Sequence, residues 1–278
     1  MPRPPYEGTF TTSDGVSIAF TLQAAPNADA PRIVLIHSLA LDRSLWDGVV
    51  DTMKNEAEIL TYDCRGHGRS EHRAGTFTAE LFATDLAELL DCVGWQDAAV
   101  AGCSMGGCVA LAFAGLYPAR ATRLGLIDTT AWYDPAAAAS FRERAAAARE
   151  TGMARLVDSQ VMRWFSDGFR ERRPELVERA SAVFLASDFE CYSASCALLA
   201  AADLRPHLAS FRMPVAIVVG EEDHATPVAM ARRLHEGIPQ STLTILPEAR
   251  HLTPIECPGR IASVLLALLR RQTFATRR

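Results

Sequence analysis

Short runs of continuous apolar residues recur along this chain and set the strongest limit on its fold. The first is the Ile-Val-Leu-Ile stretch within 32–37, and the others lie at 58–62, 98–103, 123–127, 214–220 and 242–246. Such runs are typical of strands buried on both faces, as in a parallel sheet. Helical patterns separate them at about 43–54, 78–93, 105–117, 227–236 and 258–271. Because strands and helices alternate, we predict a mostly parallel α/β sheet with helices on both faces.

Two further features complete the predicted architecture. Residues 9–22 alternate in polarity around Asp14-Gly15, which predicts an antiparallel hairpin at the start of the sheet. From Ala131 to Pro206 no strand-like run occurs, and helices are predicted at 136–148, 153–165, 174–186 and 189–202. We therefore expect a core of residues 1–130 and 207–278, with a helical lid of residues 131–206 inserted after the sixth strand. A bundle with no role at the site is the alternative.

The composition narrows the classes of function. Apolar residues make up 49% and charged residues 22%, as in ordinary globular proteins. A net charge of −5 favours neither nucleic acid nor an anionic membrane as a partner. The N-terminus lacks the apolar segment of a secretory signal, and no transmembrane span is predicted. Seven scattered cysteines without a Cys-x-x-Cys pair predict free thiols, a cytoplasmic location and no metal site.

The motif Gly102-Cys103-Ser104-Met105-Gly106 lies where a predicted strand passes into a predicted helix. In that context Gly-x-Ser-x-Gly is typical of a tight turn that exposes a nucleophilic serine above the sheet edge. The turn leaves no room for side chains beside the serine, which explains the two glycines. We therefore predict Ser104 as the nucleophile. The thiol of Cys103 is the better nucleophile by chemistry, but it lies off the centre of the turn and is expected to be buried.

A serine nucleophile needs a base and an acid that orients the base. Chains with this motif place the acid after the serine and the histidine last, and only His251 follows the last predicted strand. Asp223 and Asp128 follow neighbouring strands, and we predict Asp223 as the acid because no lid separates its loop from the next helix. Asp128 remains the alternative acid, or else a turn residue. Glu221 and Glu222 are minor alternatives.

Two backbone N–H groups are needed to hold the oxyanion that forms during acyl transfer. One is expected from Met105, the residue after the nucleophile. The second is expected from Leu39, in the loop that follows the first parallel strand. His37, in the same loop, is expected to brace it by hydrogen bonds.

The chain resembles the α/β-hydrolase fold over most of its length, through Ser104, Asp223, His251, His37-Ser38-Leu39 and Arg65-Gly-His-Gly-Arg-Ser70. Within that fold it is similar to the 3-oxoadipate enol-lactonases of aromatic catabolism. The more specific similarities are the His-Ser-Leu segment and, in the predicted lid, Arg163-Trp-Phe165, Tyr192, Cys196-Ala-Leu and Asp203-Leu-Arg205. Cys103 departs from the aliphatic residue that is usual before the serine.

The resemblance implies hydrolysis of a small ester or lactone, without metal or organic cofactor. Ser104 would attack the carbonyl, His251 would take the proton, and water would release the acid from the acyl-enzyme. Candidate pocket walls in the lid are Trp132, Trp164, Phe165 and Tyr192, with packing inside the lid as the alternative. Arg163 is the candidate cation for a dicarboxylate-like substrate, with a solvated helix face as the alternative.

Other functions of the same fold remain open at this point. A general carboxylesterase or perhydrolase would use the same three residues, and a ligand-binding receptor could retain the scaffold. Ser104 excludes epoxide hydrolases and dehalogenases, which need a carboxylate at that position. The expected partner is a small ester or lactone, with no nucleic acid or membrane, and a homo-oligomer is left open.

Overall fold

One eight-stranded sheet forms the centre of the protein, in a computed structural model that describes residues 4–271. The strands are β1 (Tyr6–Thr11), β2 (Ser17–Gln23), β3 (Arg32–Ile36), β4 (Glu58–Tyr62), β5 (Ala98–Cys103), β6 (Ala121–Ile127), β7 (Val215–Gly220) and β8 (Ser241–Leu246). Their order across the sheet is β1-β2-β4-β3-β5-β6-β7-β8. β2 is antiparallel to β1 and β4, and every other neighbouring pair is parallel. The predicted sheet and opening hairpin are confirmed.

The longer helices lie where the predicted helical patterns place them, but three short ones, the sixth, ninth and eleventh, were not predicted. They are α1 (Asp47–Met53), α2 (Ala79–Cys92), α3 (Met105–Leu116), α4 (Pro135–Thr151), α5 (Val157–Trp164), α6 (Asp167–Arg172), α7 (Pro174–Leu185), α8 (Phe189–Ala201), α9 (Arg205–Leu208), α10 (Val228–Gly237), α11 (Thr253–Glu256) and α12 (Pro258–Arg270). Short 3₁₀ turns at Arg43–Trp46 and Met153–Leu156 precede α1 and α5. The predicted helices at 43–54 and 153–165 are thus each a 3₁₀ turn followed by an α-helix.

The helices α4 to α8 follow one another between β6 and β7, as the long interval without strands predicts. The two ends of this segment lie side by side. Trp132 forms an antiparallel bridge with Asp203, and the N–H of Leu204 donates to the carbonyl of Ala131 at 2.8 Å. The two ends of the helical segment are therefore bonded to each other just after β6, and the chain then continues through α9 to the start of β7.

Several expectations concern the whole chain rather than the sheet. Within residues 4–271 no single helix is long and apolar enough to cross a membrane, and α7 with α8 meets that test only as a pair bent by 98°. All seven cysteines are free. No group of three or more His, Cys, Asp or Glu in this range could hold a metal ion. Two ends of the predicted core lie outside the described residues: residues 1–3, which also begin the N-terminal segment, and residues 272–278.

Candidate active site

Backbone strain is concentrated at the carboxyl edge of the sheet. The non-glycine residues with positive φ in the described part of the chain are Ala40 (56°), Ser104 (55°), Asp128 (47°) and Glu248 (58°). They follow β3, β5, β6 and β8, respectively. A side chain disfavours this left-handed region, so the surrounding structure must hold each residue there. Strain of this kind collects at functional sites, and this edge is where the predicted site residues lie.

Ser104 lies on the turn between β5 and α3, and two glycines make that turn possible. A Cβ added to Gly102 would lie 2.0 Å from the carbonyl oxygen of Gly106. A Cβ added to Gly106 would lie 2.3 Å from the carbonyl oxygen of Ile36 in β3. No real Cβ is found so close to a backbone oxygen, so both positions require glycine. The serine is thereby held at the N-terminus of α3, with only 5% of its surface exposed.

The structure brings the three predicted residues Ser104, His251 and Asp223 into one hydrogen-bonded chain. The Oγ of Ser104 lies 2.9 Å from Nε2 of His251. The Nδ1 of His251 lies 2.9 Å from Oδ2 of Asp223. All three side chains are buried. Each residue stands on the loop that follows a parallel strand, β5, β7 or β8, so the sheet itself brings them to one edge.

Hydrogen-bond donors surround the carboxylate of Asp223. Its Oδ1 accepts from the backbone N–H groups of Ala225 and Thr226 at 2.7 and 2.9 Å, and its Oδ2 accepts from the Thr226 hydroxyl at 2.7 Å. Burial by itself would raise the pKa of Asp223, but the charge and hydrogen bond of His251 and the bonds from Thr226 lower it below its usual value. Asp223 is therefore held as a carboxylate. Sequence reasoning missed Thr226, although a loop Asp that accepts from the N–H two residues later, as Asp223 does from Ala225, is a recognisable turn pattern.

The alternative acid, Asp128, is fully buried and binds other groups. Its Oδ1 accepts from the N–H of Gly220 at 3.1 Å. Its Oδ2 accepts from the N–H and the hydroxyl of Thr253 at 3.0 and 2.6 Å. Burial and the negative charge of Asp223 raise the pKa of Asp128 well above its usual value. The carboxylate at His251 is thus that of Asp223, and Asp128 links two neighbouring loops.

Cys103 is completely buried beneath the turn. Its Sγ lies 3.9 Å from the carbonyl oxygen of His251. Burial and the charges of Asp128 and Asp223 raise the pKa of this thiol well above its usual value. Because the thiolate is the reactive form of cysteine, these surroundings keep Cys103 unreactive.

The loop after β3 lies beside Ser104 and is braced by His37. The Nδ1–H of this histidine donates to the carbonyl of Ser38 at 2.8 Å, and its Nε2 accepts from the N–H of Cys64 at 2.8 Å. Burial lowers the pKa of His37, which favours the neutral ring that this pattern requires. Leu39 lines the same cavity as Ser104. Met105 begins α3, where backbone N–H groups have no partner within the helix.

A narrow cavity of about 30 Å³ lies over Ser104 and His251. Its walls include three of the predicted substrate-binding residues, Arg163, Trp164 and Tyr192. The rings of Trp164 and Tyr192 both pack edge-on against Phe184, with centroids 5.5 and 5.9 Å apart. About one or two water molecules would fill this volume, so the cavity is small.

Two predicted pocket walls lie elsewhere, which corrects the expectation for them. Trp132 lines a separate surface groove, where the guanidinium of Arg205 lies 4.1 Å from its ring centroid. Phe165 is completely buried and stacks on Phe169 with centroids 5.3 Å apart. Tyr133, the neighbour of Trp132, lines the cavity instead. The antiparallel bridge at Trp132 explains the difference, because successive residues of an extended segment point to opposite sides.

Polar residues that sequence reasoning missed also line the cavity. Arg144 on α4 and Gln160 on α5 join Arg163, and Arg144 Nη1 lies 3.3 Å from the Gln160 Oε1. Burial and the charge of Arg144 lower the pKa of Arg163. Among the described residues neither arginine forms an ion pair with a carboxylate, and the Nε of Arg144 and Nε2 of Gln160 are buried without a hydrogen-bond partner. The cavity therefore holds two adjacent positive charges and unused donors.

The strand order, the strained serine at the β5–α3 turn and its histidine and aspartate partners define the class as an α/β hydrolase. The sequence matches the model of the alpha/beta hydrolase fold over residues 31–258, and the chain belongs to this family of hydrolytic enzymes. It is 32% identical to 3-oxoadipate enol-lactonase 2 of Acinetobacter baylyi, over 98% of this chain and 99% of that protein.

Two solved structures are similar to this one over nearly their full length. The enol-lactonase from Burkholderia xenovorans LB400 has a TM-score of 0.89 and 29% identity, covering 95% of this chain and 100% of that one. A thermophilic esterase from Thermogutta terrifontis, solved with malate bound, has a TM-score of 0.87 and 29% identity, covering 96% of this chain and 98% of that one.

Proposed function

We propose that this protein is a serine hydrolase that cleaves small carboxylic esters or lactones through an acyl-enzyme on Ser104. The observation that carries this proposal is the buried hydrogen-bonded chain from Ser104 through His251 to Asp223, with both distances at 2.9 Å. That arrangement gives a nucleophile, a base and an oriented acid in hydrogen-bond contact.

Each group has a defined part in the proposed reaction. His251 Nε2 takes the proton of Ser104 as its Oγ attacks the carbonyl carbon. The N–H groups of Leu39 and Met105 hold the resulting oxyanion. His251 then gives the proton to the leaving oxygen, and Asp223 stabilises the charged imidazole between these steps. In a second half-reaction His251 activates water, which releases the acid and restores Ser104.

We further propose that the substrate carries a carboxylate away from the bond that is cleaved. The adjacent charges of Arg144 and Arg163, without an ion-pair partner in the described chain, support this. Both arginines are half-buried, and partly buried cations lose solvation that a substrate carboxylate would replace. The names of the relatives agree, since one is a 3-oxoadipate enol-lactonase and one neighbour was solved with malate, a dicarboxylate. A carboxylate-bearing lactone is therefore the proposed substrate.

The last turn of α5 is tied to the loop that bears His251. The N–H of Leu252 donates to the carbonyl of Trp164 at 3.1 Å. The Arg250 guanidinium donates to the carbonyls of Met162 and Phe165 at 2.8 and 3.0 Å. These bonds fix the backbone of Trp164 relative to the base. Arg163 next to it is thus suited to fix the orientation of a substrate at a set distance from Ser104.

We propose that the helices α4 to α8, within the segment 131–206, act as a lid on the core. Small-molecule pockets usually measure roughly 300–1,000 Å³, whereas the cavity over Ser104 measures about 30 Å³. A lactone ring needs more room than that, so some of these helices must move apart when substrate enters.

A cytoplasmic location and a homo-oligomer stay predictions.

A comparison of matched esters tests the substrate class. We expect the p-nitrophenyl monoester of a dicarboxylic acid to have a kcat/KM about 10-fold or more above that of the neutral ester of equal length, because it gains a charge-assisted hydrogen bond. The corresponding lactone with and without its carboxylate gives the same comparison for cyclic substrates. Equal rates for charged and neutral esters would instead favour a general carboxylesterase.

Arg163→Met should raise the KM for the carboxylate-bearing ester by roughly 10- to 100-fold, because a hydrogen bond to a charged group contributes about 1.5–3 kcal/mol. The neutral ester should be turned over at close to the original rate. Initial-rate kinetics on both esters measure this. Arg155→Met, at an exposed position just before the same helix, is the matched control and should change neither rate. A similar loss on both esters would contradict the proposed role of Arg163.

Trp164→Leu should shift the preference toward longer acyl chains by about 10-fold, because it enlarges a cavity walled by a large aromatic ring. The measurement is the ratio of kcat/KM for hexanoate and acetate esters. Phe165→Leu is the matched control, since its ring stacks on Phe169 outside the cavity. It should lower the melting temperature without changing the ratio. An unchanged ratio in Trp164→Leu would make Trp164 a packing residue only.

A further inference from the structure

One buried carboxyl group near the site has no part in the proposed reaction. Asp128 is completely buried on the turn after β6, with φ at 47°. Three donors surround it: the N–H of Gly220 at 3.1 Å, and the N–H and hydroxyl of Thr253 at 3.0 and 2.6 Å. A buried carboxyl group in a strained backbone conformation is costly, so its donors must hold it in place.

These donors come from the two loops that carry the base and its acid. Gly220 ends β7, three residues before Asp223. Thr253 begins α11, two residues after His251. One carboxyl group therefore spans both loops, with one oxygen bound to each.

The turn that bears Asp128 is also bound to the nucleophile. The N–H of Ser104 donates to the carbonyl of Ile127, the residue before Asp128, at 2.9 Å. The hydroxyl of Thr129, the residue after it, donates to the carbonyl of Ser104 at 2.7 Å. The turn at 127–129 thus contacts the elements that carry all three residues of the proposed catalytic chain.

The strand end and the histidine loop approach each other closely at this point. A Cβ added to Gly220 would lie 2.2 Å from the carbonyl oxygen of Arg250, next to His251. No side chain fits between the two backbones there. Asp128 binds both from the β6 side, where a small shift of either loop would change the His251–Asp223 distance.

We propose that Asp128 is a positioning residue that sets the distance between Asp223 and His251 by holding Gly220 and Thr253 at the same time. The inference rests on the catalytic chain proposed above, and it assigns Asp128 no contact with substrate. Misplacement of a catalytic group by about 1 Å can cost on the order of 100-fold in rate. Asp128 should therefore affect kcat and leave KM unchanged.

Asp128→Asn tests the proposal with an isosteric side chain. The side-chain NH₂ of the asparagine must then face the N–H of either Gly220 or Thr253. Both groups are donors, so the hydrogen bond between the side chain and that N–H is lost. We expect kcat to fall by about 10- to 100-fold with KM unchanged on the neutral p-nitrophenyl ester. Wild-type kcat, or a rise in KM with kcat unchanged, would overturn the proposal.

A double-mutant cycle with Asp223→Asn separates positioning from general stability. If Asp128 acts through Asp223 and His251, then Asp128→Asn should cost less than about threefold in the Asp223→Asn background. A full loss in that background would mean that Asp128 acts independently of them, which overturns the inference. Failure of the proposed function would give a different result: Asp223→Asn alone would then retain full activity.

Thr253 provides a second test if Asp128→Asn does not fold. Thr253→Val removes only the hydroxyl that donates to Asp128 and keeps the shape of the buried side chain. We expect kcat to fall by about 3- to 10-fold with KM unchanged. Thr253→Ser keeps the hydroxyl and should restore kcat. Equal kcat in the Val and Ser variants would overturn the proposal.

Discussion

Replacing Ser104 with alanine should lower kcat/KM for ester hydrolysis by about 10⁴-fold or more and leave the fold intact. The substitution removes the oxygen that attacks the carbonyl, and without it the base His251 has no proton to take. Only 5% of the Ser104 surface is exposed, and its side chain serves no helix cap, so the alanine variant should remain folded. Initial rates on a p-nitrophenyl ester and thermal melting measure the two parts of this expectation.

Cys103→Ala is the matched control for this experiment. The Cys103 thiol is completely buried, and burial raises its pKa well above the usual value, so it cannot replace the serine oxygen. Cys103→Ala should keep most of the activity. Substantial turnover by Ser104→Ala, with Cys103 labelled by a substrate-like, thiol-directed probe, would show that the nucleophile was assigned to the wrong residue.

The parallel strands could be predicted because strands buried on both faces consist almost entirely of apolar residues. β5 and β7 are buried along their whole length, which is why they appear as unbroken apolar runs. The short helices α6, α9 and α11 were not predicted. They have four to six residues, fewer than two turns, and so show no helical period.

Some features of the site could be predicted from local sequence, whereas others depend on tertiary contacts. The proximity of Ser104, Asp223 and His251 could be inferred because each follows a strand of a parallel sheet, and the carboxyl ends of such strands share one edge. The arrangement of the inserted helices was less predictable. Whether Trp132 or Tyr133 faces the cavity depends on how the residues around Trp132 pair with Asp203, which is distant in the sequence. Arg144 reaches the cavity only because α4 packs against the other inserted helices.

Asp223→Asn should lower kcat by roughly 10⁴-fold, the second large effect that the structure supports. An amide at this position would no longer stabilise the imidazolium that forms when His251 takes the proton. It would also disturb the tautomer of His251, because in the wild type the Asp223 Oδ2 accepts both from His251 Nδ1 and from the Thr226 hydroxyl. The loss should appear in kcat, with little change in KM, since Asp223 lies behind the histidine and away from the substrate cavity. Steady-state kinetics on the neutral ester measure it.

Two neighbouring carboxyl groups serve as controls for the Asp223 result. Glu222→Gln changes the adjacent, more exposed side chain and should leave kcat near the wild-type value. Asp128→Asn should cost far less than Asp223→Asn, because Asp128 contacts the loops and only Asp223 binds the imidazole. If the two aspartates gave the reverse order, the carboxylate after β6 would be the acid of the mechanism. The hydrogen bond between His251 and Asp223 would then have no catalytic role, although it is the shortest link that the base makes to any carboxylate in residues 4–271.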